Sequence, residues 1–188
     1  MGDVRPIHAL LNFFADRREL LPRSLSEIYE NLQQFFVAVD RGRVIACVAL
    51  YVTWDNLAEV KALAVAEEYQ GMGLGKKLLE TVVEEAGKLG VRTLFTLTIR
   101  EGLFKKFGFV RRKKSFLPHK VWTECVRCPY FPEACIETSL TLDLDGKRKK
   151  SPKVSFTDSF MATSEPMVPG EPKRVPRWPP PVPPKHPA

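Results

Sequence analysis

The sequence predicts an α+β fold in which a mixed, mostly antiparallel sheet is flanked by helices. Short apolar runs bounded by turn residues alternate with segments whose apolar residues recur at helical spacing. The central run, Leu57–Val65, passes directly into a glycine-rich turn and an amphipathic helix. A chain of 188 residues that is 44% hydrophobic and 27% charged can bury one good-sized core.

The N-terminal part is predicted to form two helices. The first covers Val4–Arg17 with Asp3 as its cap, and the second runs through Leu32 from a capping box formed by Ser24 and Glu27. The apolar positions that define the first helix are Ile7, Leu10, Leu11 and Phe14.

Six strands and two further helices are predicted beyond this point. The strands are Phe35–Val39, Val44–Tyr51, Leu57–Val65, Leu94–Thr98, Phe109–Arg111 and Thr138–Leu144. The first two strands form a hairpin across Asp40, Arg41 and Gly42. The helices cover Gly73–Leu89, which Gly90 closes, and Glu101–Phe107.

The most informative segment is the run Gln-Gly-Met-Gly-Leu-Gly-Lys-Lys at residues 70–77. Glycines at alternate positions let backbone N–H groups approach a ligand closely, and the helix behind them directs its free N–H groups into the same loop. Lys76 and Lys77 occupy the first helical turn, where acidic residues are normally preferred. An anion is therefore expected to bind here.

Two common phosphate motifs do not fit this loop. A Walker loop needs glycine where Gln70 stands and a hydroxyl where Lys77 stands, and the dinucleotide fingerprint fails at Lys76 or Leu78. The remaining string, Gln-x-x-Gly-x-Gly, resembles the acetyl-CoA pyrophosphate loop of the GNAT superfamily of N-acetyltransferases. Residues 103–109, Leu-Phe-Lys-Lys-Phe-Gly-Phe, resemble the second motif of that family.

This resemblance implies the GNAT acyl-CoA N-acyltransferase fold and acetyl-CoA as co-substrate. The acetyl group is expected against the end of the central strand, whose splayed backbone would donate to the carbonyl oxygen. The implied cofactor-binding residues are Leu63, Val65, Gln70, Gly71, Met72, Gly73, Gly75 and Lys76. Members of this family normally open with a strand, but this sequence begins almost at the cap of its first helix. We expect that strand to be missing or encoded upstream.

Further segments resemble the short, stand-alone N-acetylglutamate synthases. These segments are Ile-His-Ala-Leu-Leu (7–11), Leu-Leu-Pro-Arg-Ser-Leu (20–25), Tyr-Glu-Asn-Leu (29–32), Ala-Glu-Val-Lys-Ala-Leu-Ala-Val (58–65), Leu-Phe-Thr-Leu-Thr (94–98) and Leu-Pro-His-Lys-Val-Trp (117–122). The resemblance implies transfer of an acetyl group from acetyl-CoA to the α-amino group of L-glutamate, the first step of arginine biosynthesis. Two alternatives stay open, an acetyltransferase for another amino acid or amine and a non-catalytic acetyl-CoA, metal or redox sensor.

The predicted chemistry is direct attack of an amine on the thioester, which requires a base for the amine proton. Glu59 matches the position of the general base in related enzymes, and the strand period places Glu59, Lys61, Leu63 and Val65 on one face. The alternative is that Glu59 and Lys61 form an ion pair with no chemical role. Phe104 stands where the family usually has a tyrosine that serves as the general acid. The residue that protonates the leaving thiolate therefore stays unassigned.

The two carboxylates of glutamate need cationic partners. The resemblance assigns Arg23 and Lys120 to this role, with Lys61 and Arg100 as further substrate-binding candidates. An isolated loop cation is otherwise a solvated charge.

Three of the four cysteines are close together in sequence and raise the question of a metal site. Cys125, Cys128 and Cys135 with His119 are candidate zinc ligands, but the motif is only half of a usual zinc site. We therefore favour free thiols or a reversible disulfide over metal. The remaining cysteine, Cys47, lies in an apolar strand and is predicted to be core.

Charge and composition limit the partners. The net charge is +7, but lysine and arginine are scattered and their short runs lack interleaved aromatic residues, so an anionic small molecule is favoured over nucleic acid. There is no membrane-length apolar run, no signal peptide and no paired cysteine framework. We expect a soluble cytoplasmic enzyme with an amino-acid substrate, and a homodimer stays open.

The composition changes after residue 145. Residues 146–188 are basic and then proline-rich, with eleven of the sixteen prolines between Pro152 and Pro187. Such a segment is expected to be disordered or to form polyproline II. The spacing Pro181-x-x-Pro184 fits a loose docking pattern, so an inert extension and a tail that docks an unknown partner both stay open. We expect an acetyltransferase domain over residues 1–145 and a tail beyond it.

Overall fold

A six-stranded sheet with helices on both faces forms the body of the protein. A computed structural model describes residues 2–117, 123–128 and 130–145. The strands are β1 (Phe35–Asp40), β2 (Arg43–Trp54), β3 (Leu57–Val65), β4 (Thr93–Thr98), β5 (Val110–Arg111) and β6 (Thr138–Asp143), and their order in the sheet is β1-β2-β3-β4-β6-β5. The helices are α1 (Val4–Ala15), α2 (Leu25–Glu30), α3 (Leu74–Lys88) and α4 (Glu101–Phe107). The pair β3–β4 is parallel and the other neighbouring pairs are antiparallel, which confirms the predicted α+β class.

The predicted elements are all present, with two corrections near the N-terminus. The capping box is confirmed, because Ser24 Oγ accepts from the Glu27 N–H and the Glu27 carboxylate accepts from the Ser24 N–H. Asp3 occupies the cap position of α1, but its side chain makes no capping hydrogen bond, because its backbone is already helical. Helix α1 also ends at Ala15 rather than at Arg17.

Each face of the sheet carries its own apolar cluster. One cluster packs the buried side of α3 against the sheet and includes Leu78, Leu79, Val82 and Ala86 of that helix. The other packs α1 and α2 against the opposite face, through residues such as Ile7, Leu11, Phe14 and Ile28. The sheet is therefore covered on both sides, and its central strands can carry functional groups away from bulk water.

A bulge in β3 reverses the faces of that strand. Ala62 has a φ of +56°, and the register with β2 shifts at this point. Before the bulge Ala58 and Val60 face the α3 cluster, whereas after it Leu63 and Val65 do so. The prediction that Glu59, Lys61, Leu63 and Val65 share one face is therefore wrong, because an inserted residue breaks the period of two.

The parallel pair β3–β4 opens into a fork. The two strands pair only at Leu57–Thr93, Ala58–Leu94 and Glu59–Phe95. Beyond these pairs β3 stays joined to β2 on one side, and β4 stays joined to β6 on the other. The sheet therefore splits at its centre, and the last residues of β3 face a gap.

Salt bridges of Glu101 fix helix α4 beside this gap. The Glu101 carboxylate accepts from Nε of Arg111 at 2.8 Å and pairs with Lys105 Nζ at 2.5 Å. Hydrogen bonds from Arg111, Lys105 and Thr138 lower the pKa of Glu101 from 4.5 to about 2. Glu101 thus joins α4 to strands β5 and β6.

No helix within residues 2–117, 123–128 and 130–145 is long and apolar enough to span a bilayer. The predicted tail, residues 146–188, lies outside the described residues.

The pKa of Glu101 generates a pH prediction. A carboxyl group whose folded-state pKa is lowered stabilises the fold above its unfolded pKa, and that contribution is lost as the pH falls. The free energy of unfolding should therefore decline more between pH 4.5 and about 2 in the parent than in Glu101→Gln. Urea unfolding at each pH measures this difference.

Glu84→Gln is the matched control, because Glu84 pairs with Lys88 on an exposed stretch of α3. Its pH profile should follow that of the parent. Identical profiles for the parent and Glu101→Gln would contradict the assigned role of Glu101.

Candidate active site

A cleft of about 570 Å³ opens where β3 and β4 separate. One wall is the end of β3 with the following loop and the start of α3, and the other is the end of β4 with α4. The loop between α1 and α2 and the segment 124–137 also contribute side chains. A cleft at a split in the sheet exposes strand backbone to a ligand.

The glycine-rich loop forms one end of the cleft. Gly71 and Gly73 have φ values of +78° and +82°, and a methyl group built on either would meet no atom within 4 Å. The space in front of their backbone is therefore open. Gln70 Nε2 donates to the carbonyl oxygen of Val65 at 3.0 Å, which fixes the loop to the end of β3. Because α3 begins just behind Gly73, its free N–H groups lie in this loop, and the arrangement fits a phosphate group.

The other predicted cofactor residues differ in their surroundings. A methyl group on Gly75 would lie 3.1 Å from Leu103 Cδ2, so this glycine lets α3 pack closely against α4. Leu63, Val65 and Lys76 line the cleft, whereas the Met72 side chain is exposed and does not. A role for Met72 therefore rests on its backbone alone.

Glu59 and Lys61 lie at the base of the cleft. Glu59 is only 2% exposed, and Lys61 Nζ lies 3.5 Å from its carboxylate. The same ammonium group donates to Glu124 Oε1 at 2.9 Å and stacks 3.8 Å from the ring centroid of Tyr51. The ion pair considered as an alternative is thus present, and the role of Glu59 as a base stays a prediction.

Tyr51 reports the electrostatics of this region. Its pKa is raised to about 12, mainly by burial, while Arg23 acts in the opposite direction and the carboxylates of Glu124, Glu27 and Glu59 contribute to the rise. One arginine and three carboxylates thus all act on the Tyr51 phenol. A charged ligand that binds in this region would therefore interact with several of these groups at once.

Arg23 is positioned by a side chain on α1. The Asn12 amide donates to the carbonyl oxygen of Arg23 at 2.9 Å and accepts from its N–H at 3.2 Å. Arg23 lines the cleft, its side chain is 22% exposed, and its guanidinium group lies 3.4 Å from the Glu27 carboxylate. Asn12 therefore fixes the backbone from which the arginine extends.

Of the remaining predicted residues, some line the cleft and others lie outside the described part of the chain. Arg100 lines the cleft, but its guanidinium group is already engaged with Glu19 at 2.6 Å. Lys120 and His119 lie outside the described residues. Phe104 also lines the cleft and stacks edge-on against Phe109 at 5.3 Å, so no hydroxyl occupies that position.

The three clustered cysteines also line the cleft. Cys125 is buried, and Cys128 and Cys135 are half-buried. Among the residues that the structure describes, no group of three or more metal-binding side chains is placed to hold a metal ion. Cys47 is buried in the core, as predicted.

The sequence of this chain is similar to those of known proteins. Residues 31–111 match the acetyltransferase (GNAT) domain. An uncharacterised N-acetyltransferase of Chlorobaculum tepidum is 35% identical over 129 residues, which cover 69% of this chain and 83% of that protein. This chain belongs to the GNAT acetyltransferase family.

Two further relatives refine this placement. The amino-acid acetyltransferase of Mycobacterium tuberculosis is 30% identical over 67% of this chain and 74% of that protein. The structure of N-acetylglutamate synthase from Neisseria gonorrhoeae complexed with coenzyme A and N-acetyl-glutamate matches with 27% identity and a TM-score of 0.68, over 77% of this chain and 33% of that longer chain. The chain is thus an acetyl-CoA-dependent N-acetyltransferase.

Several residues of this GNAT cleft were not predicted from the sequence. Asn12, Glu19, Tyr51 and Glu124 act on the cationic groups, and each comes from a different part of the chain. Only Asn12 carried a signal, because it is a polar amide within an otherwise apolar run of α1 between Leu11 and Phe13. Glu19 and Glu124 act on residues 81 and 63 positions away, and Tyr51 reaches Lys61 only through the pairing of β2 with β3.

The glycine-rich loop generates a binding prediction. Gly73→Val should weaken acetyl-CoA binding by at least about a hundredfold, or about 2.7 kcal/mol. The side chain would occupy the open space in front of the loop and would strain a backbone with φ of +82°. Isothermal titration calorimetry with acetyl-CoA measures the affinity.

Gly42→Val is the control that separates the effect of backbone strain from the effect of filling the space in front of the glycine-rich loop. Gly42 lies in the β1–β2 turn, has a φ of +78° and also faces open space. This variant should lose stability but keep its affinity. If Gly73→Val bound acetyl-CoA as tightly as Gly42→Val, the loop would not be the phosphate site.

Proposed function

We propose that this chain transfers the acetyl group of acetyl-CoA to the α-amino group of L-glutamate, as the first step of arginine biosynthesis. Three side chains in the cleft carry the proposal, since Arg23, Lys61 and Arg100 supply cations for the two carboxylates of this substrate. The name of the Mycobacterium tuberculosis relative and the ligands of the Neisseria gonorrhoeae structure support it. We assign this activity to a domain over residues 1–145.

The cations of the cleft already have anionic partners. Arg23 lies 3.4 Å from Glu27, Arg100 lies 2.6 Å from Glu19, and Lys61 lies between Glu59 and Glu124. A carboxylate of the substrate can replace one of these protein carboxylates with little change in local charge. The cost of moving the substrate out of water is therefore partly offset by contacts of the same kind.

Arg23 is the anchor best suited to a carboxylate. Its guanidinium group has five donors, and its 3.4 Å contact with Glu27 leaves the fork geometry open to a bidentate partner. Its backbone is fixed by Asn12, so little freedom is lost when a substrate binds. The match of Lys120 to a second anchor rests on the resemblance alone.

Glu59 is the proposed acceptor of the amine proton. It is the buried carboxylate on the strand whose end lines the cleft, and Lys61 keeps it in contact with a cation at 3.5 Å. Backbone N–H groups at the end of β3 are proposed to polarise the thioester carbonyl. Because Phe104 offers no proton, the thiolate of coenzyme A is expected to leave as the anion or to take its proton from solvent.

A second candidate acceptor is a cationic amine. Glu19, Glu59, Glu124 and Glu137 all line the cleft. Their carboxylates favour a substrate that carries an additional positive charge, such as a basic amino acid. A thiol-release assay with acetyl-CoA and a panel of amino acids separates the two candidates.

Glutamate should give the highest kcat/KM in this panel, and glutamine should be the best of the other substrates because it keeps the α-carboxylate and the size and shape of the glutamate side chain. Preference for lysine or ornithine over glutamate would support the cationic alternative and overturn the proposal. Absence of any turnover with amino acids would place the acceptor outside this class.

Arg23 supplies the sharpest test of the glutamate assignment. Arg23→Ala should lower kcat/KM for glutamate about a hundredfold, because a charge-assisted contact of about 2–3 kcal/mol is lost. Acetyl-CoA affinity should stay unchanged. Arg23→Lys should recover only part of the activity, since an ammonium group lacks the planar fork with which a guanidinium group binds a carboxylate.

Arg5→Ala is the control, because Arg5 is exposed on α1 and does not line the cleft. It should keep the parent kinetics. Equal glutamate kinetics for Arg23→Ala and Arg5→Ala would refute the role of Arg23.

A further inference from the structure

The three cysteines of the cleft differ from the fourth in their surroundings. Cys125, Cys128 and Cys135 all contribute to the cleft wall. Cys47 lies on β2, is fully buried in the cluster that packs α1 against the sheet, and burial raises its pKa to about 12. One chain thus contains three thiols beside the active cleft and one inert thiol that serves as an internal reference.

Cys135 has a cationic neighbour. Lys114 Nζ donates to Cys135 Sγ at 2.8 Å, across 21 positions of sequence. The nucleophile in thiol chemistry is the thiolate, and reactive cysteines typically lie next to lysine, arginine or protonated histidine while partly accessible. Cys135 meets both conditions, since it is half-buried and lines the cleft.

The segment that carries the other two thiols is fixed to the central strand. Glu124, next to Cys125, accepts from Lys61 Nζ at 2.9 Å. The Cys128 N–H donates to the carbonyl oxygen of Cys125 at 3.0 Å, so both cysteines lie in one tight turn. Cys125 and Cys128 therefore lie on the side of the cleft that contains Glu59 and Lys61.

We propose that Cys135 is a thiol–disulfide exchange site that takes low-molecular-weight disulfides. The Cys135 thiolate attacks one sulfur of the disulfide, a new S–S bond forms, and the old S–S bond breaks. The second half leaves as a thiolate and takes a proton from solvent. The cysteine sulfur is oxidised and the departing sulfur is reduced, so the small disulfide is the only oxidant needed.

The modification would act on the cleft directly. An adduct on Cys135 occupies space in the cleft wall, and a reducing thiol reverses the reaction. The reaction that this enzyme catalyses releases coenzyme A, whose disulfide is one source of the same chemistry. Glutathione disulfide is a second source that lacks the phosphates of coenzyme A.

The test measures the rate of mixed-disulfide formation at each cysteine by peptide mass spectrometry. The full chain is incubated separately with coenzyme A disulfide and with glutathione disulfide. Cys135 should react at least about ten times faster than Cys128 or Cys125, and Cys47 should stay unmodified. This readout does not depend on the acceptor amino acid, so it stands even if glutamate is not the substrate.

Matched variants test the role of the lysine. Lys114→Met should slow modification of Cys135 about tenfold, and Lys114→Arg should restore most of the rate. Lys113→Met removes the same charge at the adjacent residue and should have no effect. Modification of Cys47 in any variant reports unfolding, so loss of structure is distinguished from loss of reactivity.

Activity supplies the second readout. Treatment with the disulfide should lower the acetyl-transfer rate of the parent, and dithiothreitol should restore it. Cys135→Ser should keep its own untreated rate after the same treatment. Faster reaction with coenzyme A disulfide, with protection by acetyl-CoA, would identify the cofactor-derived source, whereas equal rates would indicate any small disulfide. Equal rates at Cys135 and Cys128, or no effect of Lys114→Met, would overturn the proposal.

Discussion

The separation of β3 from β4 is the constraint on which the rest of the site depends. The two strands pair for only three residues, and β3 then continues along β2 while β4 continues along β6. A parallel pair inside a sheet normally satisfies its backbone groups across the ladder. Here the last residues of β3 face the cleft instead, and the glycine-rich loop is fixed to the same strand end through Gln70 and Val65. One break in the sheet thus exposes the end of β3 and places the glycine-rich loop beside it.

The bulge at Ala62 divides β3 into two functional halves. Its first half directs Glu59 and Lys61 away from the α3 cluster, and its second half directs Leu63 and Val65 toward that cluster. Charged groups and the apolar wall next to the glycine-rich loop therefore come from one strand without sharing a face. Because Ala62 holds a left-handed conformation that alanine rarely adopts, packing around the strand must stabilise it.

Most of the fold followed from local sequence patterns, because periodicity and capping chemistry act over a few residues. β3 and α4 have the predicted bounds, and the Ser24–Glu27 capping box formed as expected. The bulge was missed because Ala62 carries no turn signal such as glycine or asparagine. The charge pairs of Lys61 with Glu124 and Arg100 with Glu19 were missed because each joins residues more than 60 positions apart.

Amide hydrogen exchange with and without coenzyme A tests this account most directly. Binding at the fork should slow exchange at residues 63–65, where β3 leaves its partner, and at residues 71–76, where the loop enters α3. Exchange in β1 should stay unchanged, because that strand lies at the far edge of the sheet. Protection at 71–76 without protection at 63–65 would contradict the central role of the split sheet, and protection at neither segment would place the cofactor elsewhere.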